Sequence, residues 1–374
     1  MHDDTLYRDL QRHLDRMPIP FPATSSGVEI RILKRLFSPQ DARIALCLSA
    51  MPEPVAAIQR RLGREMTREA LGEALDGMAE RGLIQRYPGK RGPNYGKAVF
   101  VIGIYENQLN RLTPELERDV RLYFDEAFAR AIHTKRSPQM RIVPVNRTIV
   151  PERGVARYDD IRETVRASAG PFAVMNCICR QGKALVGEPC SQTHTNENCL
   201  TLGVAAKAMV NRGVGRFVSR EEMLGMLDQA DREGLVLEPQ NAQDPIFVCC
   251  CCGCCCGVLT TAKKLPRPAE FFRATYHAAV DAAVCQECGT CETRCQMDAV
   301  GPHAGATRVD MERCIGCGLC VSTCPSGALR LEKRTAVKVP PRDTAALYAQ
   351  IFRERYGPLG MVAAVGRKTL GLKV

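Results

Sequence analysis

Eight of the chain's 20 cysteines fall into two matched runs. Cys285, Cys288, Cys291 and Cys295 follow the spacing C-x2-C-x2-C-x3-C. Cys314, Cys317, Cys320 and Cys324 repeat it 29 residues later, and Pro325 closes the second run. Three thiolates at three-residue intervals lie on one tight loop and can hold three corners of an iron–sulfur cubane, while the fourth cysteine ligates the neighbouring cluster. The expected ligand sets are therefore Cys285, Cys288, Cys291 and Cys324 for one [4Fe–4S] cluster, and Cys314, Cys317, Cys320 and Cys295 for the second. Gly289, Gly316 and Gly318 let the backbone bend at these loops and turn its N–H groups toward the sulfurs. Structural zinc usually takes separated C-x2-C pairs on two knuckles rather than triplet runs. Every position in the two runs is a thiolate, so no iron is left open to a substrate. Such a module conducts electrons rather than performing catalysis.

A second cysteine-rich region precedes this one. It contains Cys177-x-Cys179-Arg180, Cys190, and Cys199 within Glu197-Asn198-Cys199-Leu200. Further on, seven cysteines occupy the eight positions 249–256, interrupted only by Gly253. Packing alone does not account for such a density. In an extended stretch successive side chains point to opposite faces, so only about half of these thiols can serve one cluster unless the chain coils around it. The candidate ligands are Cys177, Cys179, Cys190, Cys199, Cys249, Cys251, Cys252, Cys254, Cys255 and Cys256, enough for one or two further Fe–S clusters. Zinc or a metal-free redox thiol cluster is the competing chemistry. His194 lies between Cys190 and Cys199 and reads as a solvated loop histidine rather than a ligand.

The segment from Cys285 to Pro325 resembles the dicluster, bacterial-type ferredoxins. One departure is Gln296-Met297 after Cys295, where a proline is expected. The wider arrangement resembles a family of multi-cluster 4Fe–4S binding proteins of anaerobic bacteria. In these a CxCR…C…C segment and a CCGCCC segment precede a dicluster ferredoxin domain. The phrase Val101-Ile102-Gly103-Ile104-Tyr105-Glu106 and the N-terminal winged-helix pattern described below also fit. The resemblance implies architecture and cofactors more than a defined activity. It also implies a residue other than cysteine at Cys250. The heterodisulfide-reductase cysteine motif is a weaker comparison, because its spacings differ.

The elements that position these cysteines can be read in outline. Ser38-Pro39 starts a helix expected over 41–50, which Met51-Pro52-Glu53-Pro54 breaks. A short helix follows over 55–62. Thr67 caps a third, with Leu71, Ala74, Leu75 and Met78 on one face, and Gly82 ends it. Residues 83–87 read as a strand, 88–96 as a turn-rich tip and 97–104 as the return strand. Three helices and a hairpin are the order of a winged helix. Residues 113–133 form a long amphipathic helix with Leu116, Val120, Tyr123, Phe124 and Phe128 on one stripe. Residues 137–160 read as a linker. Between the cysteine groups, Ser219 caps a helix over 219–233 with Glu222 completing a capping box.

The expected fold class is α+β and multidomain. It comprises a winged-helix-like domain (1–110), a helix and linker (111–160), a cysteine-rich metal domain (161–265), a dicluster 4Fe–4S ferredoxin domain (275–335) and a basic tail (336–374). The tail carries two short amphipathic stretches, expected to pack on the ferredoxin module.

The start of the chain carries no basic region followed by an apolar run, and nothing approaches the roughly 18 apolar residues of a bilayer span. The protein is therefore expected in the cytoplasm, free or peripheral at the inner face of the membrane, where reduced thiols favour metal over disulfides. The formal net charge of +11 favours acidic partners. The third-helix face (Arg68, Glu69, Gly72, Glu73, Asp76) is too acidic for base readout, whereas Lys90, Arg91 and Lys97 around Tyr87 and Tyr95 suit a phosphate backbone. Protein docking or homodimerisation is preferred to DNA. The leading function is electron transfer to or from a redox protein or a membrane-associated complex. The alternatives are a redox- or iron-responsive regulator, and an oxidoreductase subunit with a catalytic cluster within 177–256. No nucleotide loop, flavin fingerprint or Ser/His/Asp constellation marks a stand-alone enzyme.

Overall fold

The computed structural model describes residues 3–133, 137–145, 157–303, 306–335, 337–370 and 372–374. The chain is α+β and forms two compact units, Met1–Arg136 with Tyr348–Val374, and Ser137–Leu347.

The first unit opens with α1 (Asp3–Asp15) and α2 (Val28–Leu36), which no sequence signal had marked. Helix α3 (Pro39–Leu46) is capped as its sequence requires: Ser38 Oγ accepts from Asp41 N at 3.1 Å and Ser38 N donates to the Asp41 carboxylate at 2.9 Å. It ends before the expected residue 50 because the backbone there is engaged elsewhere. Lys97 N donates to Ser49 O and Ala50 N to Val374 O, each at 2.9 Å. Next come β1 (Glu53–Pro54), α4 (Val55–Leu62) and α5 (Arg68–Glu80), the last with Thr67 Oγ1 accepting from Ala70 N. Leu71, Leu75 and Met78 of α5 are buried. Strands β2 (Ile84–Tyr87) and β3 (Asn94–Lys97) form an antiparallel hairpin, and β1 adds to its β3 edge.

The return strand is thus displaced from the expected 97–104. Residues 98–101 are buried, and Phe100 stacks with Phe21, Tyr123 and Phe128 at centroid distances of 5.0, 5.6 and 6.1 Å. That aromatic cluster draws the chain off the sheet. Helix α6 (Pro114–Tyr123), a wide turn (Phe124–Phe128) and α7 (Ala129–His133) make the long helix expected at 113–133, and its apolar stripe is buried.

The hairpin tip also differs from expectation. Lys90 and Arg91 are exposed, but Tyr95 and Lys97 are buried. The Tyr95 hydroxyl donates to Asp76 at 2.7 Å, and Lys97 Nζ to His13 O at 3.3 Å. Burial, with Lys373 and Arg16 nearby, lowers the Lys97 pKa from 10.5 to about 7. Between these two values the unfolded chain binds the extra proton, so this unit gains stability as pH rises from 7 toward 10. Below about pH 7 the full penalty of a buried ammonium is present. The urea midpoint of this unit, followed by limited proteolysis, is expected to rise over that window, and Lys97→Met to reduce the slope.

Most of the C-terminal tail does not belong to the unit that carries the ferredoxin motif, although packing on that module was expected. Residues from Tyr348 onward join the first unit, where Lys373 Nζ donates to Leu46 O at 2.8 Å and Arg355 Nη1 to Met17 O at 2.7 Å. Its two amphipathic stretches are one helix, Thr344–Thr369, kinked at Gly357-Pro358. No helix among the described residues is long and apolar enough to cross a membrane.

The second unit is built on α8 (Ile161–Ala167), β4 (Phe172–Asn176), α9 (Ile178–Leu185), β5 (Glu197–Leu202), α10 (Val204–Asn211), β6 (Gly215–Val218), α11 (Arg220–Arg232), β7 (Val236–Pro239) and β8 (Phe247–Cys251). The strands form one antiparallel sheet in the order β6-β4-β5-β8-β7. Ser219 caps α11 as expected, accepting from Glu222 N at 3.0 Å, while the Glu222 carboxylate pairs with Arg216. The described part of the expected linker runs beside β7, with bridges from Met140 to Gln240 and from Val143 to Leu237. Residues 146–156 of that linker lie outside the described residues.

Then follow α12 (Gly257–Lys263), α13 (Pro268–Phe272), β9 (Tyr276–Val280), α14 (Thr290–Arg294), β10 (Val300–His303), β11 (Ala306–Val309), α15 (Leu319–Ser322) and β12 (Leu329–Lys333). Strand β9 pairs with β12, and β10 with β11. Sheet and cysteine runs share one buried apolar cluster that includes Val174, Leu200, Leu227, Val248, Ile315 and Leu319.

Candidate metal centres

The two cysteine runs adopt the same backbone path. Gly289 and Gly318 both have positive φ (73° and 77°) and each starts a short helix, α14 or α15, that carries the third cysteine. Gly316 (φ 72°) is matched 29 residues earlier by Glu287 (φ 50°), and Gly327 (φ 68°) by Asp298 (φ 52°). The left-handed turns are thus repeated even where the first run has no glycine. At Gly316 the need is steric as well, because a Cβ there would collide with Tyr276 O.

Cys285, Cys288, Cys291 and Cys324 line a single pocket together with Thr307, Pro325 and Leu329. Thr307 Oγ1 lies 3.7 Å from Cys285 Sγ and 3.8 Å from Cys291 Sγ. Backbone N–H groups of Glu287 and Thr307 hold the Cys285 thiol below its ordinary pKa. Cys295, Cys314, Cys317 and Cys320 are electrostatic neighbours, and the field at Cys320 also includes Cys291 of the first group. Ala299 N donates to Cys295 Sγ at 3.2 Å and Ala278 N to Cys314 Sγ at 3.4 Å. The groups differ in depth. Cys288 is exposed, whereas Cys314 and Cys320 are buried, and burial pushes the Cys317 thiol up to about 12. Thiolates ringed by backbone N–H donors suit iron–sulfur clusters, whose potentials respond to such hydrogen bonds.

The sheet sorts the remaining cysteines by parity. On β8, Cys249 and Cys251 face one side and Cys250 the other. Cys199 on β5 sits directly opposite Cys249, which is in turn opposite Glu238 on β7. Thiol contacts then run from Cys199 to Cys249, Cys251, Cys256, Cys179 and Cys177. Ligand atoms of Glu238, Cys251 and Cys256 lie within 4.8 Å of one another, all three residues buried. The Glu238 carboxylate oxygens are buried with the Cys251 thiol beside them and no N–H or O–H donor among the described residues, and burial raises its pKa well above the ordinary value. An orphaned carboxylate beside thiolates fits a metal-binding row.

The second set follows β8, where the chain coils. Cys190, Cys252, Cys254 and Cys255 have their four sulfurs within 4.8 Å of one another. Cys190 Sγ is 3.6 Å from both Cys252 Sγ and Cys254 Sγ, and Cys254 Sγ is 3.6 Å from Cys255 Sγ. A hydrogen bond from Cys255 is the main cause of a Cys252 pKa of about 4. His194 is exposed and outside both sets.

Cys250 joins neither set. It is 1% exposed in the apolar cluster, where burial raises its pKa to about 12. Cys250→Ala is therefore expected to retain the full metal content that Cys249→Ala or Cys251→Ala loses, as read by metal analysis of anaerobically purified protein.

Three functional side chains escaped the sequence reading. Arg180, quoted there only as part of a motif, is 2% exposed, donates to Cys250 O at 2.9 Å and Thr195 O at 3.2 Å, and faces Cys177, Cys252 and Cys190. Burial opposes its charge, but these thiolates outweigh it and raise the pKa. Glu238 could have been suspected as an acid directly following the apolar run 235–237. Gln296, which stands where a proline was expected, accepts from Gly253 N at 2.7 Å and donates to Gln192 Oε1 at 3.0 Å. Gly253 is required there, because a Cβ would lie 2.7 Å from Gln296 O.

Residues 307–330 match a 4Fe-4S binding domain. An uncharacterised ferredoxin of Methanocaldococcus jannaschii is 41% identical over 56 residues, covering 14% of this chain and 37% of that protein. The electron transport protein HydN of Escherichia coli K12 is 37% identical over 59 residues, 15% of this chain and 34% of that protein. The chain thus spans about a third of the length of these curated relatives. No solved structure matches. The chain carries a ferredoxin-type 4Fe–4S domain in an α+β fold.

Proposed function

We propose that this protein is an iron–sulfur electron relay. The observation that carries the reading is the pair of repeated cysteine runs, with every position a thiolate and backbone N–H donors at the sulfurs. Cys285, Cys288, Cys291 and Cys324 hold one [4Fe–4S] cluster, and Cys314, Cys317, Cys320 and Cys295 the other. When bound, each supplies one-electron chemistry at a potential set by hydrogen bonding and burial. The chain's own part is to bring the groups together, keep one near solvent and bury the other. The exposed Cys288 end is the docking point for a redox partner, free in solution or part of a membrane-associated complex, and HydN is by name an electron transport protein. The row Cys177, Cys179, Cys199, Cys249, Cys251 and Cys256, with Glu238, takes a further iron–sulfur group.

Helices α3, α4 and α5 and the β2–β3 hairpin of the first unit serve as a winged helix that docks a protein or a second copy. Its α5 face is acidic, and Asp76 is engaged by Arg86 and Tyr95, which leaves only Lys90 and Arg91 at the tip for phosphate. The domain limits 1–110, 161–265 and 275–335 belong to the same proposal.

The test is anaerobic purification with iron and sulfide analysis, then EPR during a redox titration. The relay requires at least about eight of each per chain and a reversible low-potential signal. Protein with fewer, or with no reversible signal, refutes it.

A further inference from the structure

The cysteine set after β8 has a geometry unlike that of the two ferredoxin groups. In a cubane each thiolate binds a different iron and points away from the cube's centre, so the sulfurs stand far apart. Among the described residues, the eight ferredoxin cysteines form no group with ligand atoms within 4.8 Å of one another. Cys190, Cys252, Cys254 and Cys255 do, with three sulfur–sulfur separations of 3.6 Å. Four thiolates around one zinc ion at about 2.3 Å place their sulfurs about 3.8 Å apart.

We propose that Cys190, Cys252, Cys254 and Cys255 bind one tetrahedral metal ion, zinc, rather than an iron–sulfur cluster. The donor set is complete with four protein thiolates. That describes a closed structural site, with no position left for water or substrate. The surroundings are built to hold it. Backbone N–H groups of Gln192 and Thr193 donate to Cys190 Sγ, and that of Cys255 to Cys252 Sγ. The Cys190 loop is fixed from outside by Glu233, whose carboxylate accepts from Thr193 Oγ1 at 2.6 Å and Thr195 Oγ1 at 2.8 Å. The sulfurs of Cys252 and Cys254, on either side of Gly253, both reach Cys190 Sγ, while the Gly253 N–H is held by Gln296. The buried Arg180 guanidinium offsets the negative charge that four thiolates leave on a divalent ion. The ion would close a loop of more than 60 residues, tying the α9–β5 connection to the turn held by Gln296 at the end of the first cysteine run.

This inference stands apart from the relay reading, because its metal and its ligands are different. Metal analysis of the full chain, purified anaerobically, is expected to give about one zinc per chain beside the iron and sulfide. X-ray absorption at the zinc edge is expected to give four sulfur neighbours at about 2.3 Å. Cys254→Ser and Cys190→Ser are each expected to lose the zinc and leave iron and sulfide unchanged. The absorption measurement needs no variant, so it decides the matter even if both substitutions unfold the loop. Absence of zinc, nitrogen or oxygen neighbours at the ion, one iron in excess of sulfide, or loss of iron and sulfide in a Cys254→Ser variant that stays folded would each overturn the proposal. Missing iron with zinc retained would instead refute the relay alone.

Discussion

Replacing Arg180 with methionine is expected to destabilise the second unit by about 3–5 kcal/mol, the usual cost of removing one partner from a buried charge pair. Arg180 is 2% exposed and is the guanidinium that faces both thiol sets, with Cys177 on one side and Cys190 and Cys252 on the other. Methionine fills much of the same volume, so a cavity is not the main loss. Two consequences follow from the missing charge. The thiolates repel each other without compensation, and the carbonyls of Thr195 and Cys250 lose their donors. Arg180→Lys keeps the charge but not the planar fork, so it cannot serve both carbonyls and is expected to recover only part of the loss. Anaerobic urea unfolding of the second unit measures this, with metal content recorded at each step. A methionine variant within about 1 kcal/mol of the native protein would show that the charge is compensated elsewhere.

What the sequence disclosed, and what it did not, follows from the range over which each feature is encoded. The cysteine runs are local. Their spacing dictates a tight loop, and the 29-residue repeat persists in the backbone down to the left-handed pairs Glu287 with Gly316 and Asp298 with Gly327. Helices α3, α4 and α5 were legible because Ser38, Thr67 and the breaker at 51–54 act within a few residues. The alternation rule also foresaw that β8 would split its cysteines, and the outlying residue is Cys250.

The sheet order was not legible. Strands β5 and β8 meet only after a long connection, and that meeting places Cys199 opposite Cys249, in line with Glu238 of the adjacent β7. No short window holds that information. Gln296 shows the same limit. As a departure from the ferredoxin pattern it looked like a local oddity, yet its side chain spans to Gly253 and Gln192. Lys97 read as a basic tip residue because its burial depends on α1, which has no strong sequence signal.

The crossed assignment of the fourth cysteines predicts a specific pairing of variant phenotypes. Cys295→Ala is expected to behave like Cys314→Ala, and Cys324→Ala like Cys288→Ala, although in each case the partner lies in the other run. Cys295 follows Cys291 closely in the chain, yet the cysteine charge it faces is that of Cys314. Cys324, in turn, lines the pocket of Cys285, Cys288 and Cys291. Each variant should therefore lose about four of the eight irons of the ferredoxin module. Two reduced clusters this close broaden each other's EPR signals, so any of the four variants should also yield a sharper, uncoupled spectrum. The discriminating readout is which cluster survives. Cys295→Ala and Cys314→Ala should leave the same potential, that of the solvent-near group, and Cys324→Ala and Cys288→Ala should leave the other, that of the buried group. Burial in an apolar setting disfavours the more highly charged reduced state, so the buried group's potential should be the lower unless its N–H donors offset this. If Cys295→Ala instead matched Cys285→Ala, each run would hold its own cluster.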